Sequence, residues 1–138
     1  MSTRLVLKDA TVNQTNGIVV AEVELGMNGT TVVGQAAAKT SPQGPLFLAG
    51  EATVKAMQQL LPPGFGLSLL QVESEPADAE RVVWAKLLLY TPDGPQRLLG
   101  IARFGADAPA AAARAILSAV NRRGSYLFED HSHSGAAS

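Results

Sequence analysis

Residues 82–103, VVWAKLLLYTPDGPQRLLGIAR, hold two runs of alternating character on either side of Asp93-Gly94. Val83, Ala85, Leu87 and Leu89 fall on one side of an extended chain and Trp84, Lys86, Leu88 and Tyr90 on the other, the period of two that belongs to a strand. Asp and Gly tolerate the positive φ of tight hairpin turns, so the second run folds back on the first. Beyond the turn, Leu98, Gly100 and Ala102 share a face. A glycine beside an alanine is what close approach of a helix to the strand requires.

The same pattern stands earlier in the chain. Residues 19–38, VVAEVELGMNGTTVVGQAAA, set Val19, Ala21, Val23 and Leu25 against Val20, Glu22 and Glu24, turn at Asn28-Gly29, and align Val32, Gly34 and Ala36. With a shift of about 63 to 66 residues, VVAEVEL meets VVWAKLLL, VVGQAA meets LLGIAR and EATVKAMQQLL meets RAILSAVNRR, the mark of an internal duplication. Each half opens on a further extended segment, RLVLKDATV or GLSLLQVESE. The expected fold is therefore α+β, a tandem duplication of a βββα unit in which an antiparallel sheet carries two helices on one face. One domain spans residues 1–124, with repeats at about 4–63 and 64–124, and the small polar segment 125–138 is expected to be a disordered tail.

Local signals place the helices. The first should open after Gly44 with Pro45 in its first position and stop at Leu61 before Pro62-Pro63-Gly64, burying Ala49, Ala52, Thr53, Ala56, Met57 and Leu60. The second should be capped by Asp107, carry Pro109 in its first turn and end near Arg123. Its inner stripe would be Ala112, Ala115, Ile116, Ala119 and Val120, with Arg114, Ser118, Asn121 and Arg122 pointing away.

Composition narrows the chemistry. The 138 residues include 11 Lys and Arg, 12 Asp and Glu and no Cys, so disulfides, thiol nucleophiles and thiolate metal sites are excluded. With a net charge of -1 nothing draws the chain to nucleic acid or to an anionic membrane. A cytoplasmic protein without a cofactor is expected. The two histidines, His131 and His133, lie in the tail, too few for a tetrahedral metal site. The remaining candidates for a catalytic base are carboxylates, and each has a plainer role: Asp107 as a helix cap, Glu51 as a first-turn acid, Glu22 and Glu24 as a solvated strand face.

Only 17% of the residues are charged, against about 25% in ordinary soluble domains. The shortage is concentrated in the alanine helices and on the strand face of Trp84, Leu88 and Tyr90, with Ile101 and Val33 added from neighbouring strands. Contiguous apolar surface of this kind marks an interface, here expected to be filled by a second copy of the chain. The alternative is that the two halves fold face to face and bury it internally. Ligand-binding candidates are the two strand-to-helix turns, at Gly44-Pro45 and Gly105 to Asp107, because helix N-termini present unpaired N–H groups to anions. Arg97 and Arg103 flank the sixth strand and are expected to pair with Glu22 or Glu24, or to hold an anion.

Val82 to Arg123, with the Asp93-Gly94 turn, Gly100, Asp107, an Ala-rich helix and the ending Ala119-Val120-Asn121-Arg122, resembles the C-terminal regulatory domain of 2-isopropylmalate synthase. Gly44-Pro45 followed by Ala49 is similar to the turn that opens the helix of that domain's first repeat, and the likeness covers most of residues 4–123. It implies a two-repeat βββα domain that dimerises and binds an end-product amino acid near the strand-to-helix turns, here Gly44, Pro45, Gly105 and Asp107. Synthase activity does not carry over, since the chain holds no catalytic barrel. The expected function is a non-catalytic regulatory or ligand-sensing homodimer with a small carboxylate or amino-acid ligand. The alternatives are a small enzyme with Glu51 or Asp107 as base at the dimer seam, and a structural module docking through Trp84, Leu88 and Tyr90.

Overall fold

The computed structural model describes residues 5–39 and 44–123. The expected tail with His131 and His133 lies outside the described residues, as does the part of the first strand-to-helix turn that precedes Gly44. The elements run β1 (Val6–Thr15), β2 (Ile18–Met27), β3 (Thr30–Lys39), α1 (Gly44–Gln58), β4 (Gly66–Ala77), β5 (Glu80–Thr91), β6 (Gly94–Arg103) and α2 (Ala108–Arg123). The duplicated βββα layout is present. Each repeat forms its own three-stranded antiparallel sheet, β1-β2-β3 and β4-β5-β6, so two sheets replace the single one expected.

The repeats match in detail. β1 carries a bulge between Leu7 and Asp9, and β4 carries one at the corresponding place between Leu69 and Gln71. Asn28 and Gly29 both hold positive φ, 49° and 82°, as a hairpin turn twisting with its strands demands. On the inner sheet faces Ala21, Val23 and Leu25 answer Val83, Ala85 and Leu87, all fully buried.

The helices lie between the sheets. α1 packs on β2 and β3 of its own repeat and also on β4, while α2 packs on β5 and β6 and also on β1, and the two helices touch each other. The stripes read from the sequence are buried, apart from the partly buried Leu60, but burial extends well beyond them. Leu48, Gly50 and Val54 join in α1; Ala110, Ala111, Ala113 and Leu117 join in α2. A helix apolar on nearly all sides needs partners on nearly all sides. Gly50 marks the crossing: a Cβ there would sit 2.7 Å from Leu69 of the other repeat's sheet and 3.2 Å from Ile116 of the other helix.

Polar side chains on the helices bind strand backbone, so Ser118 and Asn121 do not point away as expected. Asn121 Nδ2 donates to the Leu5 carbonyl and its Oδ1 accepts from the Leu5 N–H, both at 3.2 Å. At the matching place Gln58 Nε2 donates to the carbonyl of Leu67. Each helix thus fastens the start of the other repeat's first strand. Ser118 Oγ accepts from the Ile101 N–H at 3.1 Å, and Gln59 donates to the Val33 carbonyl at 2.7 Å, so the outer edges of β6 and β3 are each covered by a helix side chain. Asn121→Ala is expected to lower stability by about 2 kcal/mol, because it strands two partly buried peptide groups of Leu5. Urea unfolding measures the loss, and hydrogen exchange at the Leu5 amide should rise above that at β2.

Candidate functional site

The two strand-to-helix turns hold the ligand-binding candidates Gly44, Pro45, Gly105 and Asp107. Gly105 has φ 64° and leads into Asp107, whose Oδ1 accepts from the Ala110 N–H at 3.1 Å while its carbonyl accepts from the Ala111 N–H. That carboxylate is a helix cap, with one lobe already committed to its own helix. Gly44 begins α1 with φ 81°, and Pro45 is exposed. Asp107→Ala should cost about 1 kcal/mol, visible as a lower Tm, whereas Asp107→Asn, which still caps, should leave it nearly unchanged.

None of Gly44, Pro45, Gly105 or Asp107 lines the clefts that follow. Two of these are repeat-related seams where the polar strip of a helix reaches solvent. Glu51, Lys55 and Gln58 of α1 line a cleft of about 260 Å³ against β4. Arg114, Ser118 and Asn121 of α2 line one of about 410 Å³ between β1 and β6. Glu51 and Arg114 hold equivalent places in the two seams, and Glu51 stands well inside α1, not in the first turn where it was expected. Among the described residues no three His, Cys, Asp or Glu side chains gather to hold a metal ion.

The outer sheet faces differ sharply. In the first sheet Glu22 pairs across the strands with Gln35, which donates a hydrogen bond to it, and Glu24 pairs with Val33. At the corresponding places in the second sheet Trp84 pairs with Ile101 and Lys86 with Leu99. At the centre of the face one repeat therefore shows water Glu22 and Gln35 where the other shows Trp84 and Ile101, although Val33 of the first sheet is 44% exposed. Tyr90, Leu99 and Ile101 are 44%, 58% and 53% exposed, and Trp84 and Leu88 are half-buried. Lys86 Nζ lies over the Trp84 ring, 5.5 Å from its centroid, keeping a charge beside the ring without covering the rest of the face.

The four interface candidates, Trp84, Leu88, Tyr90 and Ile101, all project from this one face. Leu99 belongs with them, and the alternation that puts Leu98 and Gly100 inside already implies it. Val33 does not, because it lies on the outer face of the other sheet. Beside the apolar residues an open cleft of about 440 Å³ runs from Glu75 past Trp84 and Ile101 to Arg122. Arg103 pairs with Glu80 at 3.4 Å, not with Glu22 or Glu24, which stand on the first sheet. Both partners of that pair are exposed, and it adds little to stability.

No family model matches the chain, and no curated protein does. No helix among the described residues is long and apolar enough to cross a membrane.

Proposed function

We propose that this chain is a non-catalytic regulatory module that acts as a homodimer, its second copy covering the outer face of the β4-β5-β6 sheet. The observation that carries the reading is the contrast between repeat-related faces, Glu22 and Gln35 against Trp84 and Ile101. A duplicated unit has no folding reason to set Trp84 and Ile101 in water where its twin has Glu22 and Gln35. An interface on one of them supplies the reason. Three strands about 4.8 Å apart and some ten residues long offer about 500 Å² per copy in projection, or about 1,000 Å² in the pair, the size of a weak specific interface. A micromolar dimer is the expected result.

Sedimentation velocity across a dilution series tests this. The chain should sediment as a dimer at tens of micromolar and dissociate on dilution, and Ile101→Glu should sediment as a folded monomer with an unchanged circular dichroism spectrum. A monomer at every concentration overturns the reading. The ligand-sensing part rests on the resemblance to the synthase regulatory domain, and it assigns a small carboxylate to Gly44, Pro45, Gly105 and Asp107. Calorimetric titration with the branched-chain amino acids should then release heat, and its absence leaves dimerisation alone.

A further inference from the structure

The apolar residues of the second sheet's outer face lie between two columns of opposite charge. β4 contributes Glu73 and Glu75, while the far side contributes Arg97 and Arg103 from β6 and Arg122, which closes the end of the 440 Å³ cleft. The central strand β5 lies between them, with Lys86 held over Trp84. Among the described residues the one ion pair on this face joins Arg103 to Glu80 at the far end of β5. The column of acids and the column of cations are otherwise apart, separated by the width of the sheet.

Two identical faces can pack about a two-fold axis in two simple ways. With the axis across the strands, β4 lies over β4 and β6 over β6 with their directions reversed, so no acid comes opposite an arginine. With the axis along the strands, β4 of one copy lies over β6 of the other at the same level, so Glu75 comes opposite Arg103 twice, while Glu73 lies over Ile101 and Arg97 over Ser68. We infer that the second copy docks in this latter way, with the two β5 strands running in the same direction, and that the acidic end of β4, at Glu75 with Glu73 beside it, faces Arg103 of the second copy. This rests on the self-association proposed above and specifies its geometry. The charges then select orientation and the Trp84, Leu88, Leu99 and Ile101 surface supplies contact, the usual division between the rim and centre of an interface.

The first sheet offers no comparable match. Its outer face has Glu22 and Glu24 on the central strand and Gln35 beside Glu22 where the second has Trp84 and Ile101, with Val33 keeping an apolar side chain at the place of Leu99. A head-to-tail arrangement of first sheet on second would also leave chains open at both ends.

Four exposed substitutions test the orientation without touching the core. Glu73→Arg with Glu75→Arg makes both columns basic, and Arg97→Glu with Arg103→Glu makes both acidic. Each pair should raise the dimer dissociation constant about tenfold at low salt, and the effect should shrink at 0.5 M salt. The chain with all four exchanges should recover to within about threefold of the natural protein. Mixed with the natural chain, it should sort into homodimers, since a mixed pair sets acids on acids. If the natural protein dimerises but the charge pairs leave its dissociation constant unchanged, or the mixture forms heterodimers, the orientation is wrong and the association stands. A loss of dimer from Glu22→Arg with Glu24→Arg also overturns it, by placing the first sheet in the contact. A natural chain that is monomeric throughout removes the association itself. Melting curves of all variants should coincide within the monomer.

Discussion

Gly100→Ala should destabilise the protein by about 3 kcal/mol or more, and Gly34→Ala by a similar amount. One methyl group added to a strand seldom does this, since alanine commonly suits an extended backbone better than glycine. Here the strand lies directly against the helix backbone. A Cβ on Gly100 would overlap the Ala115 carbonyl oxygen and come within 2.8 Å of Ser118 Oγ and 2.9 Å of the Ala119 Cβ. On Gly34 it would overlap the Ala52 carbonyl and crowd the backbone of Ala56. Backbone atoms inside a helix cannot turn aside as a side chain can. The helix must retreat from its sheet, and it carries with it the alanine seam toward the other helix, in a core packed to crystal-like density. In Gly100→Ala the retreat also pulls Ser118 from the edge of β6. Gly66→Ala is the control: it faces only the Tyr90 ring at 3.6 Å, an ordinary contact, and should change stability by less than about 0.5 kcal/mol. Urea unfolding at one protein concentration, above the dimer range, separates the two outcomes, and equal stability of Gly100→Ala and Gly66→Ala would refute the close approach.

These two glycines were legible in the sequence, and the reason is that they carry a double mark. Each stands in an alternating strand, and each has an alanine two residues on along the same face. The hairpins were legible for a similar reason, since Asn28-Gly29 and Asp93-Gly94 combine turn chemistry with the strand period on both sides. What escaped the sequence depends on relations between distant segments. The bulges at Lys8 and Leu70 interrupt the register without a glycine or proline to announce them. Ser118 and Asn121, polar residues at the margin of a helix stripe, look solvated until β6 and β1 are placed beside them.

The interface face was half legible. Alternation in β5 put Trp84, Leu88 and Tyr90 together, but the opposed charge columns follow only from strand order and register, which bring Glu73 opposite Trp84 and Ile101 beside it on the other side. The splitting of the sheet was hidden because every strand pairing within a repeat is the same in one sheet or two. Only the strand that each helix meets in the other repeat, β4 for α1 and β1 for α2, distinguishes them.

Alanine is the residue whose position the sequence says least about, and this makes Ala113→Glu the second large effect. Ala110 to Ala113 form a run that suits an exposed helix as well as a buried one, because alanine has the best helix propensity whatever surrounds it. A helix lying on the outside of a single sheet would turn Ala113 to the edge of its buried stripe, where a glutamate can extend into water at little cost. Between two sheets Ala113 is 0% exposed and has no route out. The carboxylate would be desolvated with no cation or N–H group arranged to receive it, and the longer side chain has no cavity to enter, so the loss should be several kcal/mol, enough to leave little folded protein. Burial favours the neutral acid, which raises the folded-state pKa above that of the unfolded chain, so the penalty should be greater at pH 8 than at pH 4. Arg114→Glu, one residue on, places the same carboxylate on the exposed strip at the mouth of the α2 seam and should shift stability by no more than about 0.5 kcal/mol. Paired urea titrations at the two pH values decide between the packings. A mild Ala113→Glu with no pH dependence puts the helix on the outside of the sheets, and a severe one that eases in acid puts it between them.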